Sequence, residues 1–211
     1  MKWSDDVLSV YFIMGTQDCS GRSPENILEE AIHGGITCFQ FREKHPDLHM
    51  HQVVDLGFRL RAICQKHQIP FIVNDRVDLA LILEADGVHI GQEDLPAFHV
   101  RKLIGKERIL GVSAKTETEA LEAVQNGADY IGVGPMFATK SKSDAGHPVG
   151  PETITRIRRV VGETFPIVGI GGINRQNARQ VREAGANGVA VISAIAQSQS
   201  PRQAAEALKN G

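Results

Sequence analysis

The chain has 211 residues, 42% of them hydrophobic and 23% charged, with a formal net charge of −2 at pH 7. That length and apolar share suffice for one well-buried core and fit a single domain over residues 1–211. The absence of a basic excess argues against a nucleic-acid binder, whose phosphate contacts leave one.

The apolar run VLSVYFIM (7–14) is too short to cross a bilayer, and it follows Asp5 and Asp6 where a signal peptide carries positive charge. No membrane partner and no targeting segment are expected. Cys19, Cys38 and Cys64 are odd in number and form no CxxC pair, which predicts a reduced, cytoplasmic protein without a disulfide framework or clustered zinc. Apolar β-rich runs lie near residues 8–14, 36–42, 70–74, 86–90, 108–112, 129–134, 166–170 and 188–193. Helical patterns such as ENILEEAIH, DLGFRLRAICQKH, TETEALEAVQNG and NARQVREAG separate most of them, with one short crossover near 76–84. One phrase recurs: EADGVHIG (84–91), NGADYIGVG (126–134) and AGANGVAVIS (184–193), with HGGITCFQF (33–41) as a looser relative. In each, a helix closes on a small or capping residue and the chain enters an apolar strand. Eight such units predict a single closed (β/α)8 TIM barrel, in which function is sought at the carboxyl ends of the strands.

The second strand carries the first signal. In FQFREK (39–44) Gln40, Arg42 and Lys44 share one face, and Phe39, Phe41 and Glu43 the other. Burying two cations without partners is costly, so something anionic is expected to meet that face. The later strand ends give Asn74 and Asp75, then Gln92, Glu93 and Asp94, then Ser113 and Lys115. Asp75 and Asp94 come from adjacent strands, and a magnesium ion between them would relieve their repulsion. Helix capping is an equally available role for both. The loop after strand six gathers Thr139, Lys140, Ser141, Lys142 and Ser143, able to wrap an anion or to remain a solvated loop. Gly171 and Gly172 follow strand seven and let backbone amides approach a phosphate, aided by the next helix N-terminus. With Ile192 and Ser193 after strand eight they occupy the usual phosphate position of such barrels. Two anion pockets and a metal imply two phosphorylated substrates.

Over nearly its whole length, from YFIMG (11–15) to ISAI (192–195), the sequence resembles thiamine-phosphate synthases. The blocks that carry the likeness are QFREK, PFIVND, ADGVHIGQED, GVSAKT, GADYIGVGP and PIVGIGGI, in that order. The resemblance implies a Mg2+-dependent transferase that couples a hydroxymethylpyrimidine diphosphate to a thiazole phosphate, the diphosphate leaving first. It further implies Gln40, Arg42, Lys44 and Asn74 as diphosphate and pyrimidine contacts and Asp75 and Asp94 as the metal ligands. Ser113 would lie over the pyrimidine, Thr139, Ser141 and Lys142 would close on the substrates, and Gly171 or Gly172, Ile192 and Ser193 would cradle the thiazole phosphate. Arg42, Lys44, Ser113 and Lys142 are the residues expected to serve catalysis, and a homo-oligomer is compatible with the family. The chain departs from the pattern at Lys115, where many relatives read SAHT or SANT, and at Lys140 and Ser141.

Two rival readings are a thiazole tautomerase on the same fold, which needs a mouth histidine and no diphosphate clamp, and a non-catalytic regulator that binds a phosphate. The intact clamp residues argue against both. His89 alternates with Val88 and Ile90 and is expected inside the barrel as a hydrogen-bonded core residue. His45, His49 and His51 are expected on the surface, with Pro46 starting a helix.

Overall fold

The structure is a computed structural model that describes residues 5–139, 141 and 146–211. Among them, eight parallel strands close into a barrel in sequence order. They are β1 (Val10–Met14), β2 (Cys38–Phe41), β3 (Phe71–Asn74), β4 (Gly87–Ile90), β5 (Ile109–Ala114), β6 (Tyr130–Val133), β7 (Ile167–Ile170) and β8 (Gly188–Val191). Around them lie α1 (Pro24–His33), α2 (Met50–Lys66), α3 (Val77–Ile82), α4 (Ala97–Ile104), α5 (Glu117–Gln125), α6 (Glu152–Val161), α7 (Ala178–Glu183), α8 (Ser193–Ala196) and α9 (Pro201–Lys209). β1 pairs with β8 through Val10–Val189, Tyr11–Ala190 and Phe12–Val191, which closes the ring. The predicted TIM barrel is therefore the observed fold.

Helix starts follow local chemistry. Ser23 accepts from the Asn26 N–H at 3.2 Å ahead of Pro24, Thr116 accepts from Glu119 at 3.2 Å, and Ser200 from Gln203 at 3.3 Å ahead of Pro201. Pro46, by contrast, starts no helix. α2 begins at Met50 behind the N-cap His49, whose N–H donates to Gln52 Oε1 at 3.0 Å. His45, His49 and His51 are exposed, as expected.

The recurring phrase has one mechanical meaning. Its Thr, Asp or Asn, placed just before each even-numbered strand, accepts from the first or second N–H of the preceding strand. Thr37 Oγ1 takes Val10 N at 2.9 Å, Asp86 Oδ2 takes Phe71 N at 2.8 Å, Asp129 Oδ2 takes Leu110 N at 2.7 Å and Asn187 Oδ1 takes Ile167 N at 2.9 Å. Each of the four returns its own N–H to the carbonyl of that same residue, at 2.7–3.0 Å. Three arginines repeat the device one step outward: Nε of Arg61, Arg101 and Arg158 donates to Glu84 O, Gly127 O and Gly185 O at 3.0, 3.0 and 3.2 Å. The amino-terminal rim is thus stapled four times by the same local chemistry, which leaves the opposite rim to carry function.

The strand faces divide as alternation predicts. Phe39 and Phe41 pack outward with Leu28, Leu56 and Leu60 under the helices, whereas Tyr11, Ile13, Cys38, Ile72, Tyr130 and Val168 fill the barrel interior. Two strand ends differ from the sequence expectation. β5 runs to Ala114, so Ser113 is a strand residue rather than a loop residue, and β8 stops at Val191, so Ser193 opens α8.

Candidate active site

A cavity of about 780 Å³ opens at the carboxyl ends of the strands. One wall belongs to β2, β3 and β4. Arg42, the residue after β2, keeps the ladder going by donating its N–H to Met14 O at 3.0 Å, and it is 7% exposed. Gln17 braces this strand end: its Nε2 donates to Arg42 O at 2.9 Å and to Asp18 Oδ2 at 2.8 Å, and its Oε1 accepts from Lys44 N at 3.1 Å. Burial pushes the Asp18 carboxyl up, and the Gly15 N–H and the nearby Arg42 guanidinium offset only part of that. Glu43 turns outward and accepts from Thr16 N and Thr16 Oγ1 at 2.9 and 3.0 Å. Gln17 and Asp18 were not read as site residues in the sequence, because a short polar stretch after a first strand carries no signal of its own.

Lys44 Nζ meets Asp75 Oδ2 at 2.8 Å, with the lysine side chain about half exposed. Asp75 has φ +59°, a left-handed conformation rare for non-glycine residues, best tolerated by Asp and Asn and frequent where a site aims a side chain. Its N–H donates to His89 O at 2.7 Å. Neither carboxylate caps a helix: α3 starts behind Arg76 and α4 behind Pro96, without side-chain caps. Asp94 instead accepts from Gly91 N at 2.7 Å. The two carboxyls shift each other. Burial raises Asp75, but Lys44 and Asp94 outweigh it and hold the group low, whereas burial and then Asp75 raise Asp94 above what the Gly91 N–H restores. Such a pair suits a hard divalent ion that keeps waters and takes phosphate oxygens. Among the described residues no group of three or more His, Cys, Asp and Glu is gathered; the two carboxylates are oxygen donors of the kind magnesium takes together with water and phosphate.

The opposite wall belongs to β6, β7 and β8. Gly171 and Gly172 have φ of +98° and +65°. A Cβ on Gly171 would stand 2.6 Å from Pro135 Cβ, and one on Gly172 2.6 Å from Ala138 O. The glycines are thus required for the left-handed backbone and for close packing of the β7 loop on the β6 loop, a stronger demand than approach to an anion. α7 begins only at Ala178, so its N-terminus does not directly follow these glycines. The chain that does run straight from a strand into a helix start is Ile192–Ser193. Ser193 Oγ bonds Ser141 Oγ at 3.0 Å, and Ser141 N donates to Thr139 Oγ1 at 3.2 Å, so the β6 loop meets the β8 mouth. Lys142, Lys140 and Ser143 lie outside the described residues.

Between the walls, Asn74, His89, Ser113 and Lys115 line the cavity. Lys115 Nζ would stand 3.6 Å from a Cβ on Gly146, close to the returning β6 loop. Gln92 Nε2 donates to Ser113 O at 2.6 Å. Gln40 is placed differently from its expectation: it is 1% exposed, lies off the cavity wall, and donates from Nε2 to Tyr11 Oη at 2.9 Å inside the barrel. The interior site of His89 agrees with its alternation, and its ring also reaches the cavity.

Over residues 10–195 the chain matches the family model described as thiamine monophosphate synthase. It is 53% identical over 202 residues to a thiamine-phosphate synthase of Geobacillus kaustophilus, covering 95% of this chain and 90% of that protein. It is 52% identical over 202 residues to a thiamine-phosphate synthase of Geobacillus thermodenitrificans, with the same coverage. Among solved structures, the thiamine phosphate pyrophosphorylase from Pyrococcus furiosus superposes with a TM-score of 0.86 at 36% identity, covering 98% of this chain and 96% of that one.

Proposed function

This chain belongs to the thiamine monophosphate synthase family, and from that premise we propose that it joins 4-amino-5-hydroxymethyl-2-methylpyrimidine diphosphate to 4-methyl-5-(2-phosphoethyl)thiazole, releasing diphosphate and forming thiamine phosphate. The observation that carries the reading is the two-sided cavity. Arg42, Lys44 and the Asp75–Asp94 pair stand on one wall, while Gly171, Gly172, Ile192 and Ser193 stand on the other. Two anionic groups can therefore be held at once with a gap between them for the rings.

Arg42 and Lys44 are assigned to the diphosphate, with Lys142 from the β6 loop as a third cation. A leaving diphosphate gains charge as its carbon–oxygen bond breaks, and fixed cations stabilise that change more than they stabilise the resting ester. Asp75 and Asp94 would hold Mg2+, which when bound supplies further positive charge to the diphosphate oxygens. Asn74 and Ser113 are assigned to the pyrimidine, and Thr139 and Ser141 to closing the cavity over both substrates. The thiazole nitrogen then captures the pyrimidinylmethyl carbon from the opposite wall, its phosphate anchored at Gly171, Gly172, Ile192 and Ser193. No protein nucleophile is needed for this route.

No helix among the described residues is long and apolar enough to cross a membrane. Three buried, unbridged thiols suit a reducing cytoplasm. The test is direct. Purified protein, both substrates and magnesium should yield thiamine phosphate and diphosphate in equal amounts, and chelator should abolish both. An isomerised thiazole with no diphosphate released would replace this reading with an isomerase.

A further inference from the structure

A chain of hydrogen bonds runs through the barrel interior from β2 to the cavity. Gln40 Nε2 donates to Tyr11 Oη at 2.9 Å, Tyr11 Oη and Tyr130 Oη are 2.9 Å apart, Tyr130 Oη and His89 Nδ1 are 2.9 Å apart, and His89 Nε2 and Ser113 Oγ are 3.0 Å apart. Five strands contribute one residue each, and space is made for the rings by glycine: a Cβ on Gly111 would overlap Tyr130 and His89, and one on Gly132 would stand 3.0 Å from His89 Cε1. Both tyrosines are at most 1% exposed, and burial above all holds their hydroxyls protonated.

The protons in such a chain are not independent. Each tyrosine and the serine has one hydroxyl hydrogen, and a neutral imidazole has one N–H. With Gln40 donating to Tyr11, the polarity that keeps every link sends the Tyr11 hydrogen to Tyr130 and the Tyr130 hydrogen to His89 Nδ1. The ring proton is then on Nε2, where it is given to Ser113, and the Ser113 hydrogen is left over for the cavity. Turning the Gln40 amide over reverses every link and leaves Ser113 with only a lone pair to offer. The Gln40 Oε1 atom is buried without a partner, and this favours the first polarity. The turned amide would put an N–H group in that bare position, and buried N–H groups without acceptors are rarer than under-satisfied carbonyls.

We propose that Tyr11 and Tyr130 are positioning residues that, through His89, fix the Ser113 hydroxyl as a hydrogen-bond donor aimed at an acceptor atom of the bound substrate. The inference rests on the function proposed above for the substrate, but the polarity of the chain is a property of the ligand-free protein. A site that offers a fixed donor selects a ligand presenting a lone pair there, such as a heteroaromatic ring nitrogen, and rejects one that presents an N–H or C–H, because a mismatched buried polar group goes unpaired.

Nitrogen-15 NMR of the ligand-free protein reads the His89 tautomer, with the assignment made by loss of the signal in His89→Asn. The expected result is one tautomer, protonated at Nε2, and Tyr130→Phe should convert it to a mixture. Kinetics give the second arm. Ser113→Ala and Tyr130→Phe should each raise KM for the pyrimidine substrate about fivefold, the worth of one neutral hydrogen bond, with kcat changed less. The double variant should be no worse than Ser113→Ala alone. Thermal melts identify a variant that has merely lost its fold, and Tyr11→Phe then serves in place of Tyr130→Phe. A wild-type ring protonated at Nδ1, or effects of the two substitutions that multiply, would overturn the proposal. Absence of turnover in the wild type would instead overturn the function while leaving the tautomer measurement standing.

Discussion

Asp129→Ala removes one of the four staples at the amino-terminal rim, and its cost can be worked from the structure. Leu110 is fully buried, and its N–H gives its hydrogen to Asp129 Oδ2 at 2.7 Å. Without that acceptor the N–H is left bare in the core, at a cost of about 1–3 kcal/mol. Arg101 also loses its 2.6 Å contact with the same oxygen, but those side chains are 17% and 41% exposed and Arg101 keeps the carbonyls of Gly105, Arg108 and Gly127, so this adds under about 1 kcal/mol. A loss of about 2–3 kcal/mol lowers Tm by roughly 5–10 °C in a chain of this size. Asp129→Asn keeps an oxygen for Leu110, as Asn187 does for Ile167 at 2.9 Å, and should lose less than half as much. Thermal and urea unfolding followed by circular dichroism measure both. If Asp129→Asn is as damaging as Asp129→Ala, or if Asp129→Ala costs under about 0.5 kcal/mol, the interchangeable staple is wrong.

Asp75→Asn and Asp94→Asn should each lower kcat/KM by about a hundredfold or more, since stabilisation of several kcal/mol is at stake, while their melting curves stay close to wild type; steady-state assays across a magnesium titration check this. Gly171→Ala places a Cβ against Pro135 on a backbone with φ +98°, so it should cost about 1–2 kcal/mol of stability and raise KM for the thiazole phosphate more than for the pyrimidine substrate. Cys19 is 1% exposed, and burial pushes its thiol up to about 12. A thiol raised in the folded state holds its proton after the unfolded chain has released it at about 8.5, so its contribution to stability is full below that pH and falls as pH rises toward 12. Urea midpoints should drop over that interval, and folded protein at pH 8 should resist thiol reagents that label the unfolded chain at once. Lys115→Asn, which deletes a cavity-lining cation, should raise the dissociation constant for inorganic diphosphate a few-fold and reduce its salt dependence, as read by calorimetry.

The barrel was legible in the sequence because its signals are local. Eight apolar runs separated by amphipathic stretches give eight βα units wherever they occur. The repeated phrase around Asp86, Asp129 and Asn187 marked the helix-to-strand passages, because the residue before each even strand must both end a loop and accept a neighbouring N–H. Alternation in FQFREK likewise separated Phe39 and Phe41 from the polar face. The polar strand ends gathered at one cavity because parallel strands point the same way. Gln40, which alternation puts on the polar face and the resemblance makes a substrate contact, shows the limit. Which layer of the interior it occupies depends on the register of β2 against β1 and β3, and that register puts it beneath the cavity.

Only the closed fold decided the rest. Tyr11 and Tyr130 are 119 residues apart and meet because the ring closes and Gly111 leaves room. The left-handed turn that aims Asp75, the pressure of Pro135 on Gly171 and the contact of Ser141 with Ser193 depend equally on which loops are neighbours. Side-chain periodicity is written within a few residues of itself, so a sequence states it outright; contacts across a barrel depend on strand stagger and ring closure, which no segment carries alone.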